Sequence, residues 1–297
     1  ELKMQLLLTD MCYGLKMKGE VAMLDKKQVS IYFRKFLRLL LNKKSLFFVL
    51  EAILLPFIIS IAFDANEVFD KYHITRTSSI MFISAALWIG LFNSVTSICN
   101  ERKVIKFEYQ IKGLSLPSYV TARVLTELVL CFAEAILMIG TIVVRYPHIQ
   151  GNGSQIFLFG ITLFLVIFTS DMLALLISAF VKKSSQAMTA MPLVLMVQLL
   201  FSNFLQSLDE KIPFLVWISH ATITRWGTTA FFRIANMNNM VPSQGHTDWQ
   251  VYQKDGVGTY AYDLLAILGN WGVLLAFSAL FMVATSLVLT SVRKDTR

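Results

Sequence analysis

Four carboxyl groups, Glu51, Glu127, Glu134 and Asp171, sit inside stretches that are otherwise apolar. A charged side chain inside a hydrocarbon layer costs roughly 3 kcal/mol or more, so such a group faces protein or water and finds a partner. Two kinds of chemistry fit them: a relay that passes protons, or a set of hydrogen bonds that latches one arrangement of helices. Glu127 lies about two turns from one end of its stretch, within reach of Arg123 four residues earlier. Glu134 and Asp171 lie deeper. The other reactive residue types form no constellation. The four histidines are scattered, and no nucleophile and base share a readable element. The three cysteines, Cys12, Cys99 and Cys131, lack both disulfide-framework spacing and companion histidines for zinc. The phosphate-cradling pattern G-x-x-x-x-G-K-[ST] does not occur in the 297 residues.

A second feature is "CNERKVIKFEYQIKGLSLPSYV", residues 99–120, a charged stretch between two apolar ones. Val104, Phe107, Ile111 and Leu114 recur at the spacing of one helical face. Glu101, Arg102, Lys103, Lys106, Glu108 and Lys112 fill the rest, and Gly113 and Pro117 break the helix before the next apolar stretch. The pattern predicts a short amphipathic helix whose apolar stripe fits a groove on a partner while its charges fix the register. A solvated loop helix that only sets topology is the alternative.

These residues have to be positioned by a membrane protein. Hydrophobic residues make up 56% of the chain and charged ones 15%, and mean hydropathy is +0.61. Soluble domains carry about a quarter charged residues. The net charge of +8 fits cationic loops on one side of a bilayer rather than nucleic-acid binding. Six stretches, 46–63, 77–98, 119–144, 156–181, 186–207 and 263–291, approach the roughly 20 apolar residues of a crossing helix. Pro56 is expected to kink the first. With a cytoplasmic N-terminus, 20 of the 27 Lys and Arg side chains fall on the cytoplasmic side and seven opposite. Both termini are then cytoplasmic.

Two further segments do not cross. Residues 27–44 set Phe33, Phe36, Leu37, Leu40 and Leu41 against Arg34, Lys35 and Arg38. This predicts an interfacial amphipathic helix with its bases near anionic headgroups. Residues 208–262 form a long external segment, with a pair of short helices dipping into the outer leaflet.

Three motifs, taken together, carry a resemblance. "NERKVIKFEYQIKGLSLPSYVTARVL" resembles the coupling-helix segment of ABC type-2 permeases, especially the G-subfamily (White-like) exporters. Glu101, Arg102, Glu108 and Tyr109 match its Glu-Arg/Lys … Glu-Tyr frame, with Ile105 in place of an aromatic. "ITRWGTTAF", 223–231, is similar to the family's Ile-Pro-Arg-Tyr/Trp-Gly segment, with Thr224 where proline is usual. "LLFSNFLQSL", 199–208, is similar to the end of the fifth span, with Asn203 in place of glycine.

The resemblance implies an all-α fold. It has six transmembrane helices, an N-terminal interfacial connecting helix, a cytoplasmic coupling helix and short external re-entrant helices. Residues 27–297 would be the permease domain, and 1–26, beginning at Glu1, a linker from a possible upstream ATPase. The function implied is the membrane half of a dimeric ATP-driven exporter, working by alternating access on an amphipathic or lipid-like substrate. Its partners would be an ABC ATPase domain, fused or separate, holding ATP and Mg; a second permease domain, identical or different; and membrane lipids. By motif position, Phe82, Ala86, Ile89 and Asn93 with Met196, Leu199 and Leu200 would line the central cavity. Phe204 and Leu205 would form a valve. Glu101, Arg102, Lys103, Phe107, Glu108 and Tyr109 would form the coupling surface. With ATP as the energy source, Glu127, Glu134 and Asp171 read as a polar latch. A proton-coupled secondary transporter using Glu134 or Asp171 is the competing reading, although no internal repeat supports it. The expected location is the plasma membrane of a bacterium.

Overall fold

The computed structural model describes residues 25–40, 45–150, 152–201, 213–240 and 260–292. Among them the secondary structure is helical and no strand occurs. The elements are α1 (Lys26–Leu40), α2 (Ser45–Ala62), α3 (Tyr72–Ser94), α4 (Ser97–Lys112), α5 (Leu116–Arg145), α6 (Pro147–Gln150) and α7 (Gly153–Phe180). After these come α8 (Ser184–Leu200), α9 (Pro213–His220), α10 (Ile223–Ile234), a 3-10 turn at Met237–Asn239, and α11 (Leu264–Val292).

The bundle is built around α7. Its 28 residues are apolar on every side, the pattern of an enclosed helix, and α3, α5, α10 and α11 surround it. The most extensive contact among the described helices is between α3 and α7. Gly90 allows it, because a Cβ there would overlap Ser170 Oγ and the backbone carbonyl of Ile167. Hydroxyl groups line the side of α7 that faces α11: Trp271 Nε1 on α11 donates to Thr162 Oγ1 at 3.0 Å, and Thr169 Oγ1 lies within hydrogen-bond distance of both the Leu165 and the Leu274 carbonyls, at 2.7 and 3.2 Å.

Among the described residues, four helical stretches are long and apolar enough to cross a membrane: α3 running on into α4, α5, α7 and α11. The chain is therefore a multi-pass membrane protein. The other two expected crossings are shorter, α2 with 18 residues and α8 with 17, against the roughly 20 that a bilayer core takes. Each continues through an internal proline, Pro56 and Pro192. Residues 202–207, the end of the fifth expected crossing, lie outside the described residues.

Local chemistry explains the element ends. Gly113 stops α4 with φ 62°, a left-handed conformation that glycine adopts without a side-chain clash. Pro117 does not lie in the gap as its breaker role suggests. It is in the first turn of α5, where a missing N–H leaves no helical bond unmade. On α1, Phe36 is buried and Arg34 and Arg38 are exposed, while Phe33, Leu37 and Leu40 are half-buried, as is Lys35, a residue expected on the charged side; Leu41 lies outside the described residues. Among the described residues, the segment expected to be external, 208–262, contains two short helices, α9 and α10. The second is no surface decoration, since Ile223, Phe231, Phe232 and Ile234 are buried against α3, α7 and α11.

Candidate functional site

The charged stretch folds as α4, and its two faces differ. One face is tied down. Glu101 Oε2 accepts a hydrogen bond from Tyr119 O–H at 2.6 Å, and Glu108 Oε2 accepts one from Tyr32 O–H on α1 at 2.8 Å. Lys35 Nζ stands 3.8 Å from Glu108 Oε1. Arg102 Nη1 donates to the Val181 carbonyl at 2.8 Å, beyond the end of α7. The backbone N–H groups of Ile98 and Cys99 share Ser178 Oγ at 3.0 and 3.1 Å, and Ile105 is buried. Burial, followed by the hydrogen bond and charge of Glu108, holds the Tyr32 phenol above its usual pKa.

The opposite face of α4 is open and apolar. Val104, Phe107 and Ile111 are 46%, 55% and 67% exposed, and Lys103 beside them is exposed. Leu114, expected in the same stripe, is buried instead. The left-handed turn at Gly113 ends the helical phase, so the next side chain swings inward. Of the residues proposed for the coupling surface, Lys103 and Phe107 thus point outward. Glu101, Arg102 and Glu108 hold the helix in place, and Tyr109 is half-buried against the α1–α5 cluster.

The expected cavity residues fall in two places. Phe82, Ala86, Ile89 and Asn93 are buried inside the chain's own bundle. Leu199 packs on the same apolar core, whereas Met196 and Leu200 are exposed on α8. On α3 the partly open strip holds Met81, which is exposed, and Ser84 and Trp88, which are half-buried. Phe204 and Leu205 lie outside the described residues.

Three of the four carboxyls, Glu127, Glu134 and Asp171, converge between α3, α5 and α7, whereas Glu51 is half-buried on α2 and is not among them. Glu127, Cys131 and Glu134 recur at one face of α5, and all three are buried. Arg123 Nε lies 2.8 Å from Glu127 Oε1, while Arg123 Nη2 donates to Ser97 Oγ, the first residue of α4, at 2.6 Å. The same guanidinium sits 5.1 Å from the ring centre of Phe36 on α1. Asn93 Nδ2 on α3 donates to Glu134 Oε2 at 2.8 Å. The Cys131 thiol points at Asp171 Oδ2 on α7 at 3.8 Å. Ser94 lies against both Glu127 and Asp171. Three separate contacts therefore tie α5 to its neighbours: Glu134 to α3, Cys131 to α7, and Arg123 with Glu127 to the start of α4. The spacing of 127, 131 and 134 was readable in sequence; the partners Asn93, Ser94 and Ser97 carry no such signal, because they come from other helices.

A further junction escaped the sequence reading. Gln198 Oε1 on α8 accepts the Ile223 N–H at 2.8 Å at the start of α10. Thr224 Oγ1 donates back to the Gln198 carbonyl at 2.5 Å. Thr224, in the position where the resembled motif has proline, thus supplies a hydroxyl that proline lacks.

Comparison with known proteins matches the geometry. The ABC-2 type transporter family matches residues 27–235. A Mycobacterium tuberculosis ABC transporter ATP-binding/permease protein is 27% identical over 231 residues, covering 73% of this chain and 26% of that protein. The chain thus spans about a quarter of that relative's length. An all-helical bundle with long apolar helices and a tethered amphipathic helix after one of them is the setting in which these matches fall, and the chain belongs to the ABC-2 type transporter family.

Proposed function

We propose that this chain is the membrane half of an ATP-driven exporter in which α4 is the element pushed by an ATPase domain. The observation that carries the reading is the two-sided construction of α4. Its inner face is fixed to α1, α5 and the end of α7 by hydrogen bonds, and its outer face leaves Val104, Phe107 and Ile111 without cover. A rigidly held helix with an open apolar stripe transmits a push instead of absorbing it. The similarity to a protein that combines ATP-binding and permease functions supports an ATPase partner, fused or separate, with ATP and Mg held there.

In this reading α2, α3, α5, α7, α8 and α11 all cross the bilayer, both termini are cytoplasmic, and the protein resides in a bacterial plasma membrane. Two copies, identical or different, face each other, and alternating access opens a central cavity between them. The partly open strip of α3 with Met196 and Leu200 of α8 would line that cavity, and Phe204 and Leu205 would close it. An apolar lining suits an amphipathic or lipid-like substrate. Glu127, Glu134 and Asp171 act as a latch that makes α3, α5 and α4 move together.

The test uses the complete transporter, with its ATPase, in vesicles, and a Met81→Cys reporter on the partly open strip of α3. ATP with vanadate is expected to change the labelling of that thiol. Phe107→Asp should abolish the change while leaving thermal stability within about 0.5 kcal/mol of the parent, since the side chain is exposed. An ATP-dependent change that survives Phe107→Asp, Val104→Asp and Ile111→Asp alike rules the coupling role out.

A further inference from the structure

The amphipathic helix α1 does not lie flush on α5. Between them runs an open groove of about 290 Å³ lined by Lys26, Val29, Ser30, Phe33 and Leu125. Its floor is apolar: Val29 and Phe33 are one turn apart on α1, and Leu125 faces them from α5. Its rim is cationic and polar, with Lys26 and Ser30 one turn apart on the same helix. The neighbouring carboxylate, Asp25, turns back to accept the Lys27 N–H at 2.9 Å. Lys26 and Lys27 are both exposed, so positive charge dominates this end.

From Leu125 the groove continues onto the exposed side of α5. Val129, Phe132 and Ile136 follow it at helical spacing, and all three are exposed. Leu125 to Ile136 spans eleven residue steps, roughly 16 Å of helix. That is about half the roughly 30 Å hydrocarbon core, the depth of one leaflet. A base and a hydroxyl at the rim, an apolar pocket behind them and an apolar track one leaflet deep are complementary to a lipid with a negatively charged head.

We propose that the α1–α5 groove binds one anionic phospholipid, its phosphate held by Lys26 and Ser30 and an acyl chain laid along Leu125, Val129, Phe132 and Ile136. The ammonium and the hydroxyl both supply charge-assisted hydrogen bonds to the ionised phosphate oxygens, and the ammonium adds its own positive charge. The bound lipid fills the gap under α1, the helix whose Tyr32 holds Glu108 of α4. The site rests on α5 crossing the membrane and stands whether or not α4 is driven by an ATPase.

Native mass spectrometry of the complete transporter, delipidated and then given phosphatidylglycerol or phosphatidylcholine, tests it. The parent is expected to retain phosphatidylglycerol over phosphatidylcholine by about fivefold, the weight of one basic side chain at an anionic surface. Lys26→Gln should bring the two to parity. Leu125→Trp, which fills the groove, should lower retention of both by about one lipid per chain. Arg38→Gln, an exposed base on the same helix, should leave the ratio unchanged. Equal effects of Lys26→Gln and Arg38→Gln would reduce the preference to general surface charge and overturn the proposal. Undiminished retention in Leu125→Trp, or displacement of the lipid by inorganic phosphate alone, would overturn it too. Lys26→Gln changes only an exposed side chain, so it decides the matter even if Leu125→Trp fails to fold.

Discussion

Replacing Gly90 with alanine perturbs the seam on which the bundle is organised. A Cβ at this position would lie inside van der Waals contact with Ser170 Oγ and the Ile167 carbonyl oxygen, and 3.0 Å from the Asp171 backbone nitrogen. The serine hydroxyl can rotate, but the Ile167 carbonyl is fixed within α7. Carbon-to-oxygen contacts settle at about 3.3–3.6 Å, so α3 and α7 must separate locally by about 1 Å. A gap of that size forfeits roughly a quarter to a half of each pair's dispersion energy. This places the substitution at about 2–3 kcal/mol, in the upper part of the usual range for overpacking. In a Cys12→Ser background, a thiol-reactive dye reports exposure of the buried Cys99 and Cys131 on heating in detergent. At about 2–4 °C per kcal/mol for a chain of this size, Gly90→Ala should lower the midpoint by about 5–10 °C. Gly140, on the open side of α5, is the control: a Cβ added there would meet no atom within 4 Å, so Gly140→Ala should leave the midpoint unchanged or raise it. Equal behaviour of the two glycine variants refutes the close crossing. So does full rescue of Gly90→Ala by Ser170→Gly, because that change leaves the Ile167 carbonyl where it is.

Other outcomes follow from the contacts of α5 and from α1. Asn93→Ala removes the donor at 2.8 Å from Glu134 and should cost about 1–2 kcal/mol in the same dye assay, whereas Glu134→Gln, which keeps a polar partner, should cost less than half of that. Arg123→Ala strands the buried Glu127 and should cost about 3–5 kcal/mol; adding Glu127→Ala should recover part of it, and a double-mutant cycle with no coupling would contradict the pair. The Tyr32 phenol is held above its usual value near 10 by burial and then by Glu108. The fold therefore favours its neutral form: that contribution is complete below about pH 10 and is lost as pH rises beyond it. The midpoint of the parent should consequently fall faster above about pH 10 than that of Tyr32→Phe, and parallel curves would contradict the assignment.

How much of this was legible in the sequence depends on which physical signal each feature leaves. Where water meets protein, polarity marks the face: the exposed Arg34 and Arg38 of α1, the helix at α4 and the stop at Gly113 all come from residue type and spacing. Within the bilayer the signal fades, since lipid and protein interior are equally apolar. The helices α7 and α11 look alike in sequence, yet α7 is enclosed while α11 exposes Leu265, Leu275 and Leu287. For the same reason Phe82, Ala86 and Ile89 could be given to a cavity by motif position, although they pack inside the chain. Partners such as Asn93 and Glu134, 41 residues apart, depend on which helices become neighbours, and no local pattern states that.

One intramembrane signal was nevertheless present. Without a hydrophobic force between helices, close contact is made by small residues and by hydroxyl groups that bond to nearby backbone. On α3, Thr75, Ser78, Ser79, Ala86, Gly90 and Ser94 are all buried, and on α7 so are Ser170 and Ala174. These are the two helices in the most extensive contact. The hydroxyls of Ser78 and Ser170 donate to backbone carbonyls three residues earlier, so these two enter the seam already satisfied and add no desolvation cost there. The small-residue stripe, and not the hydrophobic period, is what specifies α3 against α7. Because Asn93, Ser94 and Asp171 sit on the edges of that same seam, its closeness also fixes where the buried carboxyls meet.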